Sequence, residues 1–325
     1  MRQSVSVTEN ACLDSIMKRR DLIKKLGLAG GTLALSGMAG TPALASVPKK
    51  KRVLKIAHIT DVHIRPEHNA VNRFKNCLEK IKKDQVDLIL NGGDSIYAAD
   101  YDHIKKERVL EQWACWKDSV KVVAGIPMHH VLGNHDMWWQ GKGDEMYGKQ
   151  GVLKMLDMPH NYYSFDRNGW HFIMLDSNHP TSPGMLDETQ WSWFVNEVEK
   201  NSKDKPVLIM SHYPILSCTG ITDSKPDATG PFKISGSYNH LDVMKFIEVF
   251  NRNKNVKVCL SGHIHLLDKV WYNEVSYLCN GATSGFWWEP GDDGKSAYKQ
   301  TVPGYTLLNL YNDGSFDHEY IKYEA

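Results

Sequence analysis

The chain has 325 residues, of which 42% are hydrophobic and 24% charged, a composition ordinary for a globular protein with a sizeable core. Lys and Arg total 39 against 38 for Asp and Glu, and the resulting formal net charge of +1 argues against a strongly basic nucleic-acid binder or an acidic disordered tail. Six cysteines without a Cys-x-x-Cys pair argue against a zinc ribbon or a disulfide scaffold.

The N-terminal segment has the features of an export signal. An Arg19-Arg20 pair precedes a mildly apolar, glycine-rich stretch at 26–40, and an Ala-Leu-Ala triplet ends at Ala45. The apolar stretch is too short to span a membrane, which takes about 20 residues. We therefore expect residues 1–45 to be a signal peptide of the twin-arginine type, and the protein to be exported, either periplasmic or secreted.

The remainder, residues 46–325, is predicted to form a single domain without a transmembrane span. Removal of the signal takes away six basic and three acidic residues, which leaves a net charge of −2. No excess of positive charge remains to attract a polyanion, so we expect no specific binding of nucleic acid.

From residue 53 onward, β-rich apolar runs alternate with segments of helical periodicity, which predicts an α/β fold with a strand-rich C-terminal part. Strands are predicted at 53–59, 87–90, 128–132, 162–165, 170–175, 207–210, 256–260, 270–272, 274–279, 305–311 and 315–323. Helices are predicted at 69–83, 104–121, 186–200 and 241–251. Asp187 and Gln190 have the spacing of a capping box at the start of the third helix. Long polar loops, of a length that is usually functional, are predicted at 137–150, 213–238 and 284–303.

Polar clusters follow five of the strands, at the carboxyl ends where α/β sheets bind ligands. These clusters are Asp61-Val62-His63, Gly93-Asp94, Gly133-Asn134-His135-Asp136, His212, and Gly262-His263-Ile264-His265. Carboxylate and imidazole donors together suit Mn, Fe, Zn or Ni ions. Seven ligating side chains exceed what one tetrahedral ion needs, and with one bridging carboxylate they fill two ions about 3.5–4 Å apart. Glycine before Asp94, Asn134 and His263 fits a close approach of backbones at crowded junctions.

This series resembles the calcineurin-like metallophosphoesterase family in its D-x-H, G-D, G-N-H-D, H and G-H-x-H form, with all five blocks in family order. The resemblance covers residues 53–266 and implies a two-sheet β-sandwich flanked by helices, in four αββα layers. It also implies two transition-metal ions, divalent or mixed-valence Mn, Fe or Zn. The implied ligands are Asp61, His63 and His265 for the first ion, Asn134, His212 and His263 for the second, and Asp94 as the bridge.

The resemblance also implies the chemistry. His135 is expected to contact the phosphate and protonate the leaving oxygen, and Asp136 to orient the His135 ring and keep it cationic. A hydroxide on the metals is expected to attack phosphorus. The implied activity is hydrolysis of a small-molecule phosphate ester, first of all a phosphodiester, with a phosphomonoesterase as the alternative. A non-catalytic binding member of the family is the third hypothesis, and it is disfavoured because no residue of the set has been lost.

Tyr97 raises a second question about the first metal. Gly93-Asp94-Ser95-Ile96-Tyr97 has the spacing of purple acid phosphatases, in which the tyrosine binds ferric iron, but that subgroup has glycine where this chain has His63. The two side chains would compete for one coordination position. We favour His63 as the ligand, with Tyr97 packing nearby.

Aromatic residues are frequent in the segments next to the clusters. If they wall a substrate pocket, they could stack on a nucleobase or another planar group; otherwise they hold the long loops onto the domain. The candidates for such a rim are Trp138, Trp139, Tyr213, Trp287 and Trp288.

Overall fold

Two mixed β-sheets form the framework of the protein. The computed structural model describes residues 49–323, except 180, 202–203, 222–228, 231–233, 235, 237 and 290–300. The predicted signal peptide therefore lies outside the described residues. Residues Pro48–Ala325 form one compact unit.

The first sheet has five strands in the order β13-β12-β1-β2-β3. Its strands are β1 (Arg52–Ile59), β2 (Leu88–Asn91), β3 (Met128–His130), β12 (Gly304–Tyr311) and β13 (Phe316–Lys322). β1, β2 and β3 are parallel, whereas β12 runs antiparallel to β1 and β13 antiparallel to β12. The carboxyl ends of the three parallel strands therefore meet at one edge.

The second sheet has six strands in the order β10-β11-β9-β8-β5-β4. Its strands are β4 (Tyr163–Arg167), β5 (Trp170–Met174), β8 (Val207–Met210), β9 (Val256–Ser261), β10 (Asp268–Tyr272) and β11 (Val275–Cys279). The neighbours from β5 to β11 are parallel, and β4 and β10 pair antiparallel at the two edges. β4 and β5 form the predicted hairpin. A separate two-stranded ribbon pairs β6 (Asn178–His179) with β7 (Ser182–Pro183).

In the described part of the chain, five α-helices cover the outer faces of the sandwich or connect its strands. They are α1 (Ala70–Lys83), α2 (Lys106–Val120), α3 (Gly148–Leu156), α4 (Glu188–Asn196) and α5 (Val243–Arg252). Short 3₁₀ turns occur at Lys121–Val123, Asn134–Asp136 and Thr219–Ile221, and a π-helical turn at Glu197–Asn201 continues α4. The Asp187 side chain caps α4 by accepting a hydrogen bond of 2.8 Å from the Gln190 amide, as its spacing predicts. α3 was not predicted, because its short apolar pattern directly follows a loop.

Alternating side chains of each strand produce the layers. In β1, Leu54 and Ile56 lie in the core between the two sheets, whereas Ala57 and Ile59 lie in the core beneath the helices. β8 behaves likewise, with Leu208 in the central core and neighbouring residues packed beneath α4 and α5. Because both faces of these strands are covered, they are continuous apolar runs. The predicted αββα sandwich is confirmed. Within the described ranges, no helix is both long and apolar enough to cross a membrane.

Candidate metal centre and active site

The polar clusters that follow the strands converge at one edge of the sandwich. Two groups of side chains place one potential ligand atom each within 4.8 Å of one another. The groups are Asp61, His63 and His265, and Asp94, His212 and His263. They come from the loops after β1, β2, β8 and β9, so the two sheets contribute jointly to each group.

In the first group, the ring nitrogens of two histidines face each other. His63 Nε2 lies 3.0 Å from His265 Nε2, and Asp61 Oδ1 lies 3.3 Å from His265 Nε2 and 3.9 Å from His63 Nε2. Two imidazoles and a carboxylate that converge in a buried position are a donor set for a transition-metal ion.

In the second group, Asp94 lies at the centre. Asp94 Oδ2 is 3.2 Å from His212 Nε2, and Asn134 Oδ1 is 3.1 Å from the same nitrogen. The same Asp94 oxygen is 3.8 Å from His63 Nε2 in the first group. Asp94 therefore lies between the two groups, where a bridging carboxylate must lie. The structure brings together all seven side chains that the sequence singled out as ligands, and their arrangement fits two ions.

Backbone groups orient the histidines of the centre. His212 Nδ1 lies 2.8 Å from the Gly92 carbonyl oxygen, and His63 Nδ1 lies 3.2 Å from the Tyr97 carbonyl oxygen. A carbonyl can only accept, so each Nδ1 carries a proton, and Nε2 is the atom of each ring that can bind an ion once it is deprotonated. The Thr60 hydroxyl likewise donates to Asp61 Oδ2 at 2.7 Å, which fixes this carboxylate.

Five of the seven proposed ligands have left-handed backbone conformations. They are Asp61, His63, Asp94, His263 and His265, with φ between 46° and 70°. For residues other than glycine such conformations cost of order 1–3 kcal/mol each, and they persist only where surrounding contacts hold them. Here the His63 amide donates to the Asp94 carbonyl at 2.9 Å, and the His263 amide donates to the Asp61 carboxylate at 3.0 Å. Hydrogen bonds within the cluster therefore help to hold these strained conformations.

Two glycines allow the loops to approach closely. A Cβ atom on Gly133 would lie 2.0 Å from the Asp94 amide nitrogen, and one on Gly262 would lie 2.2 Å from Asp61 Oδ2. Any side chain at either position would displace a proposed ligand. Close approach is thus the reason for these glycines, as the sequence suggested.

The charges of the centre favour cation binding. Burial raises the pKa of Asp94, but His212, His135 and His63 outweigh it and hold the pKa well below its usual value. Burial lowers the pKa of His212, but Asp94 raises it again, to about 9. A cation that binds this group must displace the His212 proton, so binding releases a proton and weakens as the pH falls.

His135 lies beside the two groups and pairs with Asp100. His135 Nδ1 is 2.7 Å from Asp100 Oδ1, and the His135 backbone amide donates to Asp94 Oδ1 at 2.9 Å. Burial lowers the pKa of His135, but Asp94 and the hydrogen bond to Asp100 outweigh this, so the pKa lies above its usual value. Asp94 and Asp100 therefore favour the cationic form of the ring, whose other nitrogen, Nε2, is free of Asp100.

The predicted role of Asp136 as the partner of this ring is wrong. Asp136 Oδ1 accepts hydrogen bonds from the Ser95 and Ile96 amides at 2.7 and 3.2 Å, and Oδ2 accepts one from the Gly133 amide at 2.9 Å. Its carboxylate joins the loops after β2 and β3 instead. Adjacent side chains on the turn Asn134–Asp136 point apart, whereas Asp100 reaches the ring from an irregular segment that carries no sequence motif.

Known proteins share this sequence pattern and this fold. A sequence profile described as calcineurin-like phosphoesterase matches residues 54–267. The chain belongs to this family.

Relatives whose names state an activity support the assignment to the phosphoesterases. A 3′,5′-cyclic-nucleotide phosphodiesterase from Nostoc sp. is 25% identical over 277 residues, which cover 82% of this chain and 91% of the relative. A probable cyclic nucleotide phosphodiesterase from Synechococcus sp. is 29% identical over 222 residues, 65% of this chain and 73% of the relative. Among solved structures, a dimetal phosphatase from Danio rerio has a TM-score of 0.57 at 12% identity and covers 84% of this chain and 100% of its own. The chain is therefore a metal-dependent phosphoesterase.

Two of the five predicted rim residues contact ligand histidines of this phosphoesterase. The Trp287 ring stacks on His63 with 3.6 Å between centroids, and the Tyr213 ring lies 4.0 Å from His263. Trp287 is half-buried, whereas Tyr213 is only 5% exposed, so Trp287 is the one that offers surface to a substrate.

In the described part of the chain the other three tryptophans make no aromatic contact with the ligand histidines, and for Trp138 and Trp288 the predicted rim position is wrong. Trp138 and Trp288 are buried, and their indole N–H groups donate to backbone carbonyls, that of Trp138 to Ile104 at 2.9 Å and that of Trp288 to Val62 at 2.7 Å. Trp139 is 42% exposed and packs against Tyr147 instead. Sequence alone cannot separate Trp287 from Trp288, because the two are neighbours in the same irregular segment.

Tyr97 packs beside the centre, as predicted. The Arg65 guanidinium lies 4.4 Å from the centroid of the Tyr97 ring, and the Trp287 ring meets the same ring edge-on at 5.4 Å. Only the backbone carbonyl of Tyr97 contacts His63 directly, and His63 Nε2 is the atom that faces the first group. The geometry supports His63 as the ligand.

Proposed function

We propose that this chain is a two-metal phosphodiesterase. The observation that supports this most directly is the position of Asp94, whose Oδ2 lies 3.2 Å from His212 Nε2 and 3.8 Å from His63 Nε2. One carboxylate oxygen that reaches both three-residue groups is the requirement for a bridged pair of ions. The relatives from Nostoc and Synechococcus, named for cyclic-nucleotide hydrolysis, support a diester rather than a monoester as the substrate.

The proposed ligands form two sets, one for each ion. Asp61, His63 and His265 would hold one ion and Asn134, His212 and His263 the other, with Asp94 between them. Two such ions, when bound, supply an activated water nucleophile near neutral pH and stabilise the charge that develops on the phosphoryl oxygens. Their identity is proposed to be Mn, Fe or Zn, because the donor set mixes imidazole with carboxylate.

His135 would supply the proton for the leaving oxygen. Its Nδ1–H donates to Asp100, so the cationic ring carries a second proton on Nε2, which is the proton to be transferred. Asp100 and Asp94 favour the charged form of the ring, since both raise its pKa. The presence of this pair argues against a member that only binds.

The proposal is tested by comparing bis-p-nitrophenyl phosphate with p-nitrophenyl phosphate, each with and without Mn²⁺. A phosphodiesterase should turn over the diester with a higher kcat/KM, and a chelator should abolish turnover. A higher kcat/KM for the monoester would assign the chain as a phosphomonoesterase. Two bound ions without turnover of either compound would assign it as a binding protein.

We also propose that residues 1–45 direct export by the twin-arginine route, with cleavage after Ala45. The basis is the Arg19-Arg20 pair followed by the apolar stretch and the Ala-Leu-Ala triplet. In a bacterial host that has this route, replacing both arginines by lysine should keep the protein in the cytoplasm. Unchanged export of that variant would contradict the proposal.

A further inference from the structure

We propose that Trp287 is a binding subsite for a planar aromatic ring of the substrate, and that it directs this phosphoesterase towards nucleotides and other esters that carry such a ring. The inference deepens the proposed function and rests on it, since the subsite is useful only beside a working centre. It is carried by the placement of one side chain, by its partial exposure and by the way its segment is fixed.

Trp287 contacts both a proposed metal ligand and the proposed proton donor. Its ring stacks on His63 with 3.6 Å between centroids and 29° between planes, and its edge faces the His135 ring at 5.2 Å and 78°. A ring that stacks on this indole is therefore next to the group that protonates the leaving oxygen. The leaving part of an ester is the part that such a subsite would hold.

Trp287 is half-buried, and one described aromatic side chain stacks on its ring. His63 covers one face; Tyr97 and His135 approach edge-on, with interplanar angles of 77° and 78°. His265 is tilted by 44° at 5.4 Å. Among the aromatic contacts of the described residues, His63 alone lies nearly parallel to the indole. Because every nucleobase has an aromatic face, stacking on such a surface is tolerant of sequence and contributes roughly 1–3 kcal/mol per base.

The segment that carries Trp287 is held in place before a substrate arrives. Arg65, whose side chain is 7% exposed, donates from Nη2 to the Trp287 carbonyl at 2.7 Å and to Glu289 Oε1 at 2.8 Å. Arg73 on α1 donates to the Trp288 carbonyl at 2.8 Å, and the buried Trp288 indole is anchored on Val62. Since the ring is already ordered by these contacts, binding loses little conformational entropy in fixing it.

A matched pair of ligands isolates the stacking interaction. Adenosine 5′-monophosphate and ribose 5-phosphate carry the same phosphate, but only the first has a planar base. Their Kd values are measured by calorimetry on the Mn²⁺-loaded full chain, for the wild type and for Trp287→Phe, Trp287→Leu and Trp139→Leu. The last variant is the control, because Trp139 is exposed, and among the described aromatic contacts its ring meets Tyr147 and none of the proposed ligand histidines.

The wild type should bind adenosine 5′-monophosphate roughly 5- to 150-fold more tightly than ribose 5-phosphate, which is the range expected for one stacked base. Trp287→Leu should remove this preference without changing the Kd of ribose 5-phosphate or the metal content. Trp287→Phe should keep most of the preference, and Trp139→Leu all of it. Equal binding of the two ligands by the wild type would overturn the inference.

A loss of affinity for both ligands alike in Trp287→Leu would also overturn it, because the tryptophan would then serve only to position His63. The subsite and the proposed function can be refuted independently of each other. The diester assay decides the reaction, whereas the binding comparison needs only a loaded centre and decides the subsite even if no diester is hydrolysed.

Discussion

The ligand cluster and the segment 284–289 lie against each other but are built in different ways. Each ligand follows a strand directly, so the register of the two sheets fixes its place, and five of the seven proposed ligands are further held in left-handed conformations. The position of the segment 284–289 is not fixed by the end of a strand. Arg65 and Arg73, more than 200 positions earlier in the chain, hold it through hydrogen bonds to its carbonyl groups.

This difference explains what the sequence could predict. Short motifs at strand ends predicted all seven residues that converge, because parallel strands carry their carboxyl ends to one edge. The αββα layers were predicted from the family resemblance that these motifs carry. The contacts of the covering segments depend on distant side chains, so the sequence could not distinguish Trp287, on the centre, from Trp288, beneath it.

The largest effect on metal binding and activity is expected from substitution of Asp94, which joins the two groups. Asp94→Asn removes the charge that both groups share, and we expect loss of bound metal together with a fall in kcat/KM greater than the roughly 10²–10⁴-fold expected for a lost proton donor. Elemental analysis and diester turnover measure the two effects. A variant that kept two ions and more than a tenth of its activity would show that Asp94 is not the bridge.

Replacement of His135 should separate chemistry from metal binding. His135→Ala removes the proposed proton donor but none of the ligands, so turnover should fall by roughly 10²–10⁴-fold while both ions stay bound. The fall should be smaller for esters with a good leaving group, because these need less protonation. Wild-type rates in the metal-loaded variant would refute the role of His135.

A smaller effect is expected at Asp100, which acts through His135. Asp100→Asn should lower turnover by roughly 10- to 100-fold, as is typical of an outer partner that orients a functional imidazole. The pKa of His135 is raised above its usual value partly by Asp100, so in the variant the ring loses its proton at a lower pH. The basic limb of the pH–rate profile should therefore move to lower pH.

Asp136→Asn is the matched control, since it changes the neighbouring carboxylate that does not contact the ring. It weakens three hydrogen bonds from backbone amides, so we expect a loss of roughly 1–3 kcal/mol in the free energy of unfolding. The basic limb of the pH–rate profile of Asp136→Asn should stay at the pH of the wild type. A shift of that limb in Asp136→Asn but not in Asp100→Asn would restore the assignment made from the sequence.

No change is expected at Tyr97. The ring packs between Arg65 and Trp287, and His63 holds the coordination position for which the two would compete. Tyr97→Phe should therefore keep the activity and the visible spectrum of the iron-loaded wild type. A charge-transfer band that is present in the wild type and vanishes in the variant would show that the tyrosine binds iron.

A metal titration of the chelated protein tests the central claim most directly. Mn²⁺ is added to a known concentration of chain, and the rate of bis-p-nitrophenyl phosphate hydrolysis is measured against the number of ions bound per chain. The two joined groups predict that the rate rises until two ions are bound and is constant thereafter. Full activity with one ion bound, or no hydrolysis with two, would contradict a two-metal phosphodiesterase.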